Sequence, residues 1–160
     1  MKNIVLARVD DRLIHGEVVS VWGPVLRVNH YIIIDDEVAS SKLNKRVIKA
    51  LCPSSAACSI YTVEHGAEVL KKPSENRKEK IMVLVKSPIT FLRLVEKGNC
   101  FSQINLGGMG MHDGRKPFVK NLSCTEEEVQ AIRALVEKGI HVFYQLVPEQ
   151  KATDIRKYLG

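Results

Sequence analysis

A short segment near the start of the chain, from Asp10 to Gly16, contains two carboxylates, a guanidinium and an imidazole. An imidazole such as that of His15 can act as a nucleophile near pH 7, because its ordinary pKa is about 6.5. A carboxylate from Asp10 or Asp11 can accept the other ring N–H and so orient the ring. A guanidinium can bind two phosphoryl oxygens at once. These residue types together could carry out phosphoryl transfer through a histidine; the alternatives are a hydrogen-bonded structural histidine and a surface ion pair of Arg12 with the aspartates.

The same segment lies between a predicted strand and a predicted helix. Residues 4–9 are apolar apart from Arg8, which is typical of a buried strand. The next apolar residues recur at helical spacing and predict one buried face: Val18, Val21, Trp22 and Val25. Gly23 and Pro24 interrupt this face and predict a kink or an early end of the helix. Ligands of α/β sheets bind at the carboxyl ends of strands, and helix N-termini attract anions, so this position favours a histidine that carries a phosphoryl group.

Strand-like and helix-like segments alternate along the rest of the chain. The predicted strands comprise residues 31–34, 58–63, 81–85, 103–106 and 141–147. Two intervening helices begin with clear capping residues, Ser87 before Pro88 and Thr125 before three glutamates, and a terminal helix is predicted after Pro148. The alternation predicts an α/β fold: a three-layer, open, twisted, mostly parallel sheet with helices on both faces. We expect residues 1–160 to form one domain.

Three segments resemble a known family. The stretch from Arg8 to Val18, RVDDRLIHGEV, resembles the signature of the IIB components of the mannose/fructose/sorbose family of the bacterial sugar phosphotransferase system. Residues 105–109 with Arg115, and residues 139–148, are also similar to that family, and the resemblance covers essentially the whole chain. It implies that His15 accepts a phosphoryl group through Nδ1 from a phosphohistidine of a IIA protein. It also implies transfer of this group to a sugar held by the membrane components IIC and IID.

The resemblance implies roles for particular residues. The phosphoryl group would be carried covalently on His15, so no cofactor is expected. We assign His15, Arg12 and Asp10 as catalytic, with Arg12 binding the phosphoryl oxygens; Asp11 remains an alternative to Asp10 for orienting the ring. Further contacts with the phosphoryl group or with a partner are predicted for Arg8, Asp11, Gly16, Gly107, Gly108 and Met109. No metal site is predicted, because no ligand set has a credible spacing.

A glycine-rich segment follows the strand predicted at residues 103–106. Its glycines depart from the G-x-G-x-x-G spacing, and the chain contains no G-x-x-x-x-G-K-[ST] sequence, which argues against a nucleotide site. A surface loop is one interpretation of this segment. The other is a pliable docking surface around His15, in which exposed Met109 and Met111 adapt to different partners.

Composition and charge exclude several classes of protein. The 160 residues carry a formal net charge of +6, but the basic stretch from Lys71 to Lys80 contains no aromatic residues, so nucleic-acid binding is not expected. The uncharged stretch at residues 50–63 is too short to span a membrane. Met1–Asn3 leads directly into the first strand, which leaves no room for a signal peptide. We expect a cytoplasmic protein that associates peripherally with the membrane through IIC and IID. The sequence leaves open whether the protein forms a homodimer.

Two other functions are alternatives to that of a phosphocarrier. A receiver-like regulatory domain could use Asp10 and Asp11 as its acidic pair, but residues 49–63 contain no aspartate that could accept a phosphoryl group after the third strand. A Rossmann-like enzyme with His15 as general base lacks a cofactor fingerprint. Several other IIB families use a cysteine at the end of the first strand, whereas this chain has no cysteine before Cys52, which favours the mannose-type family. Mannose, fructose, sorbose and N-acetylgalactosamine all remain open as the sugar.

Overall fold

The computed structural model describes residues 2–74, 76–112 and 114–160. The strands are β1 (Ile4–Asp10), β2 (His30–Ile34), β3 (Ala57–Tyr61), β4 (Ile81–Val85), β5 (Gln103–Gly108), β6 (Lys116–Val119), β7 (Leu122–Cys124), β8 (His141–Tyr144) and β9 (Thr153–Asp154). The α-helices are α1 (Gly23–Leu26), α2 (Asp36–Ala39), α3 (Lys42–Leu51), α4 (Val63–Lys71), α5 (Pro88–Glu96) and α6 (Glu126–Glu137). A π-helical turn (Val18–Trp22) precedes α1, and a 3₁₀ turn (Ile155–Tyr158) follows β9.

Seven strands form one sheet in the order β3-β2-β4-β1-β5-β8-β9. All neighbours pair in parallel except β8 and β9, which are antiparallel, so the predicted mostly parallel sheet is confirmed. Strands β6 and β7 form a separate antiparallel pair. Because β1 lies between β4 and β5, the loop that follows it opens at the centre of the carboxyl edge of the sheet.

The sheet is covered on both faces, as predicted. One face packs against α4, α5 and α6 through a large cluster that includes Leu70, Phe91 and Ile132. The other face packs against the π-helical turn, α2 and α3 through a smaller cluster that includes Trp22 and Ile48. The predicted caps are also present: Ser87 accepts from the backbone N–H of Ile89, and Thr125 forms a capping box at the start of α6.

The helix after β1 ends early. A Cβ at Gly23 would overlap the Tyr31 hydroxyl, and Arg27 closes α1 with a left-handed φ of 56°. Val18 and Trp22 are buried as predicted, but Val25 is 60% exposed, so its assignment to the core face was wrong. The change to a short α1 after the π-helical turn removes the regular spacing on which that assignment depended.

The terminal helix predicted after Pro148 is also wrong. Residues 145–152 form a loop in which two glutamine side chains hydrogen-bond backbone groups. Gln150 Oε1 accepts from the N–H of Leu146. Gln145 Nε2 donates to the carbonyls of Pro148 and Gln150. The chain then adds β9 to the edge of the sheet. Among the described residues, no helix has the length and apolar character needed to cross a bilayer.

Candidate functional site

The centre of the site is a contact between His15 and Asp10. Nε2 of His15 lies 2.9 Å from Oδ2 of Asp10, which ends β1 and is 1% exposed. Burial would raise the pKa of Asp10, but the hydrogen bond from His15 and the charge of Arg8 outweigh burial and lower it below its ordinary value. An ionised carboxylate can only accept, so Nε2 carries a hydrogen, and in the neutral imidazole Nδ1 then holds the lone pair. Nδ1 is buried and has no hydrogen-bond partner within the described residues.

Arg8 holds Asp10 from the other side. Its guanidinium is fully buried, and Nε and Nη2 donate to Asp10 Oδ2 at 3.2 and 3.1 Å. Nη1 donates to Oδ1 of Asn105 at 2.7 Å and to the carbonyl of Gln145 at 3.2 Å, and Nη2 also donates to the carbonyl of Leu146 at 3.1 Å. All five N–H groups of Arg8 are therefore used. The predicted contact of Arg8 with a phosphoryl group needs a correction: in this structure Arg8 is a scaffold for Asp10.

The two glycines at the end of β5 make room for this scaffold. A Cβ at Gly107 would overlap the guanidinium of Arg8. A Cβ at Gly108 would lie 2.9 Å from Oδ1 of Asp10, which is shorter than real Cβ contacts. From the sequence, both glycines are predicted to contact a phosphoryl group or a partner. The structure assigns them a different role, because their missing side chains leave the space that Arg8 and Asp10 occupy.

Asp11 anchors the glycine-rich segment and does not contact the imidazole. Its Oδ2 accepts from the backbone N–H of Gly110 and from Nη1 of Arg115, both at 2.8 Å. Arg115 also donates to both carboxylate oxygens of Glu128 at 2.9 and 3.0 Å. Of the two candidates, Asp10 therefore orients His15. Since Asp10 pairs with Arg8 and Asp11 with Arg115, neither carboxylate is available as the acidic pair of a receiver-like domain.

The glycine-rich segment is held more firmly than predicted. Met109 is 1% exposed and packs in the large core cluster with Val119 and Leu122. Its carbonyl accepts from the N–H of Ser123 at 2.9 Å. The expectation that Met109 is exposed for docking is therefore wrong, because the β6–β7 pair covers it. Met111 is 60% exposed, in agreement with the prediction for that residue.

The remaining predicted residues lie on the outside of the loop. Arg12 is exposed, and its backbone N–H donates to Oδ1 of Asp10 at 3.1 Å. Gly16 is exposed, and a Cβ there would meet nothing within 4 Å, so packing does not require a glycine. Between them, buried Leu13 adopts a left-handed φ of 57°, an uncommon and strained conformation for a bulky residue.

Several residues of the site were missed by sequence reasoning. Asn105 and the carbonyls of Gln145 and Leu146 complete the environment of Arg8, and the Trp22 ring lies 5.2 Å from its guanidinium carbon. Trp22 Nε1 also donates to the Leu146 carbonyl. One signal was present: a lone arginine inside an apolar strand requires buried acceptors. It points to Asp10, which is two residues away and therefore on the same face of β1.

Comparison with known proteins shows the family of the chain. Residues 4–160 match the model of the family described as the PTS system sorbose subfamily IIB component. The chain belongs to this family. The fructose-specific EIIB component of Bacillus subtilis (strain 168) is 31% identical to this IIB chain over 161 residues, which covers 99% of this chain and 97% of the relative. The mannose-specific EIIAB component of Escherichia coli (strain K12) is 31% identical over 153 residues, which covers 94% of this chain and 47% of that longer protein.

Solved structures of the family have the same fold. The IIB domain of the sorbose permease from Klebsiella pneumoniae superposes with a TM-score of 0.89 at 27% identity, over 98% of this IIB chain and 96% of that domain. The family and the fold predicted for this IIB component are therefore confirmed. Components of this family belong to the sugar phosphotransferase system and act as phosphotransferases.

Proposed function

We propose that this IIB component accepts a phosphoryl group on Nδ1 of His15 from a phosphohistidine of a IIA partner and passes it to a sugar. The observation that carries the proposal is the orientation of the imidazole: Nε2 faces the buried carboxylate of Asp10 at 2.9 Å, which leaves the lone pair of Nδ1 free of any hydrogen bond with the described residues. A carboxylate that accepts from Nε2–H selects the tautomer of the neutral imidazole in which the Nδ1 lone pair can attack phosphorus.

The first transfer follows from this arrangement. The Nδ1 lone pair of His15 attacks the phosphorus of the donor phosphohistidine, the new N–P bond forms, and the donor's N–P bond breaks with its electron pair left on the donor ring. No proton has to leave Nδ1. The phosphorylated ring gains positive charge, which the carboxylate of Asp10 stabilises through Nε2–H. In the second transfer, a sugar hydroxyl attacks the phosphorus, the electron pair returns to Nδ1, and the hydroxyl proton is released.

Access to Nδ1 requires a change at the loop. Nδ1 is buried in this structure, so the loop must open around the ring when the donor binds, while Nε2 stays on Asp10. The left-handed Leu13 places backbone strain in the same loop, and such strain favours a segment with two conformations. We infer that Arg12, which is exposed and three residues before His15, binds the equatorial oxygens of the transferring group.

The partners follow from the relatives. The mannose-specific relative is named an EIIAB component, which supports a IIA protein as donor. Other relatives are named as specific for fructose, sorbose and N-acetylgalactosamine, so we infer a sugar of this group as acceptor. The sugar would be held by the membrane components IIC and IID, and the IIB component would work at the cytoplasmic face of the membrane.

Phosphorylation of the purified chain tests the proposal. A phosphorylated IIA protein should label the wild-type chain with an acid-labile phosphoryl group, and His15→Ala should stay unlabelled because the acceptor nitrogen is missing. His112→Ala is the matched control, since His112 is an exposed histidine of the glycine-rich segment and should leave labelling unchanged. Labelling of folded His15→Ala at the wild-type level would refute the proposal.

A further inference from the structure

The acceptor histidine is supported by a chain of contacts that reaches across two neighbouring strands, β1 and β5. We propose that Asn105 and Gly107 of β5 are positioning residues for phosphoryl transfer, which act through Arg8 and Asp10 on His15. The inference rests on the proposed function of His15. It adds a second strand to the site, since the residues so far assigned to catalysis lie at the end of β1 and in the loop that follows it.

Asn105 fixes the direction of the Arg8 guanidinium. Asn105 is fully buried and pairs with Arg8 in register across β1 and β5. Its Oδ1 accepts from Nη1 of Arg8 at 2.7 Å, the shortest of the five bonds of Arg8. Its Nδ2 donates to the Gln145 carbonyl at 3.0 Å, so the amide cannot flip without losing both bonds. The oxygen of Asn105 therefore always faces Arg8.

Arg8 in turn determines how Asp10 holds the imidazole. Two N–H groups of Arg8 and Nε2 of His15 converge on the same oxygen, Oδ2 of Asp10. The guanidinium fixes the position of that oxygen and partly neutralises its charge. Asp10 accepts from Nε2–H of His15 and so selects the tautomer of the neutral ring that has its lone pair on Nδ1, which the transfer requires. If the guanidinium shifts, the orientation of the ring is no longer determined.

Gly107 provides the space for this arrangement. Any side chain at position 107 would overlap the Arg8 guanidinium, so even alanine would push it away from Asp10. Asn105 and Gly107 therefore act on the same group in two independent ways. The first supplies an acceptor, and the second leaves a space.

The first test compares two buried asparagines. Asn105 and Asn99 are 0% and 4% exposed, and each donates Nδ2 to a backbone carbonyl, but only Asn105 contacts Arg8. In the NMR spectrum of the unphosphorylated wild-type protein, the His15 Nε2–H proton should be visible because its hydrogen bond slows exchange with water. In Asn105→Leu this signal should disappear. The initial rate of labelling by phosphorylated IIA should fall by about tenfold or more, which is the size of effect seen when a group that orients a functional side chain is removed. Asn99→Leu should change neither.

The second test keeps the inference falsifiable if Asn105→Leu does not fold. Gly107→Ala should also remove the Nε2–H signal and slow labelling. Gly66→Ala is the control: its Cβ would lie 2.8 Å from Cδ1 of Ile34, away from the site, so it should change neither the signal nor the labelling rate. A folded Gly107→Ala protein with the Nε2–H signal and wild-type labelling would overturn the inference, as would a missing signal in the wild-type protein. Labelling of His15→Ala would instead refute the proposed function, while the NMR comparison would still report on positioning.

Discussion

Replacing Asp10 with asparagine should separate the two roles of this carboxylate. Oδ2 of Asp10 receives two N–H groups of buried Arg8, and Oδ1 receives the backbone N–H of Arg12. Asparagine has nearly the same volume but no charge, and its NH₂ group must face one of these donors. Charged hydrogen bonds contribute about 1 kcal/mol more than neutral ones, and breaking a buried ion pair costs roughly 3–5 kcal/mol. The amide oxygen of the asparagine still accepts from one side. We therefore expect the free energy of unfolding to fall by about 3 kcal/mol, at the lower end of that range.

Urea unfolding at pH 7 measures this loss, and Asp154→Asn is the control. Asp154 pairs with exposed Arg156 on the surface, where such a pair contributes about 0–1 kcal/mol. Labelling by phosphorylated IIA should also slow by about a hundredfold in Asp10→Asn, the typical effect of losing one preorganised electrostatic contact. Equal losses of stability for the two variants would refute the interpretation of Asp10 as the counter-ion of Arg8. A wild-type labelling rate would refute its role in orienting His15.

The pH dependence gives an independent check on the same pair. The pKa of Asp10 is lower in the folded protein than its ordinary value, so the folded state favours the ionised form. The stabilisation is fully present above the ordinary carboxyl pKa of about 4 and is lost as the pH falls through the lowered pKa of the folded state. The difference in unfolding free energy between the wild type and Asp10→Asn should therefore be constant near neutral pH and shrink below about pH 4. A difference that grows on acidification would contradict this assignment.

Three further predictions concern the loop, the glycine-rich segment and the cysteines. Arg12→Lys should slow transfer by about a hundredfold in rapid-quench experiments while urea unfolding stays unchanged, because an ammonium cannot bind two phosphoryl oxygens in the same geometry. Met109→Asp should lower the free energy of unfolding by more than about 3 kcal/mol, whereas Met111→Asp should change it by less than about 0.5 kcal/mol. Met111→Asp should instead weaken IIA binding in titration calorimetry. Alkylation of the folded protein should modify exposed Cys100 and spare Cys124, because burial raises the pKa of the Cys124 thiol to about 12. Mass spectrometry identifies the modified cysteine, and the modified protein should still transfer the phosphoryl group.

Much of the fold could be predicted because its strands and caps are local signals. Strands β2 and β4 are short apolar runs, and Ser87 and Thr125 mark helix starts by their own side chains. The failures occurred where distant or side-chain contacts decide the structure. The terminal segment has the spacing of a helix, yet Gln145 and Gln150 satisfy its backbone as a loop, and the chain then pairs with β8.

The glycine-rich segment shows a second limit of sequence reasoning. A stretch with four glycines is typical of an exposed loop, and this pattern led to the prediction of an exposed Met109. In the structure, Gly107 and Gly108 belong to a buried strand, because glycine is the residue that can lie beside the side chains of Arg8 and Asp10. A glycine that permits close packing and a glycine that permits flexibility have the same appearance in one sequence.

Arg8 explains why the candidate site could be only half predicted. A guanidinium in the central strand of a sheet needs an acceptor for each of its five N–H groups, since an unsatisfied buried group costs about 1–3 kcal/mol and more when it is charged. The sequence places one acceptor, Asp10, two residues away on the same face. The others are the amide of Asn105, 97 residues away, and the carbonyls of Gln145 and Leu146. A carbonyl is present in every residue, so its position is known only once the strand order places β5 beside β1 and β8 beside β5. The local part of the site is therefore visible in the sequence, and the part that orients it depends on the topology of the sheet.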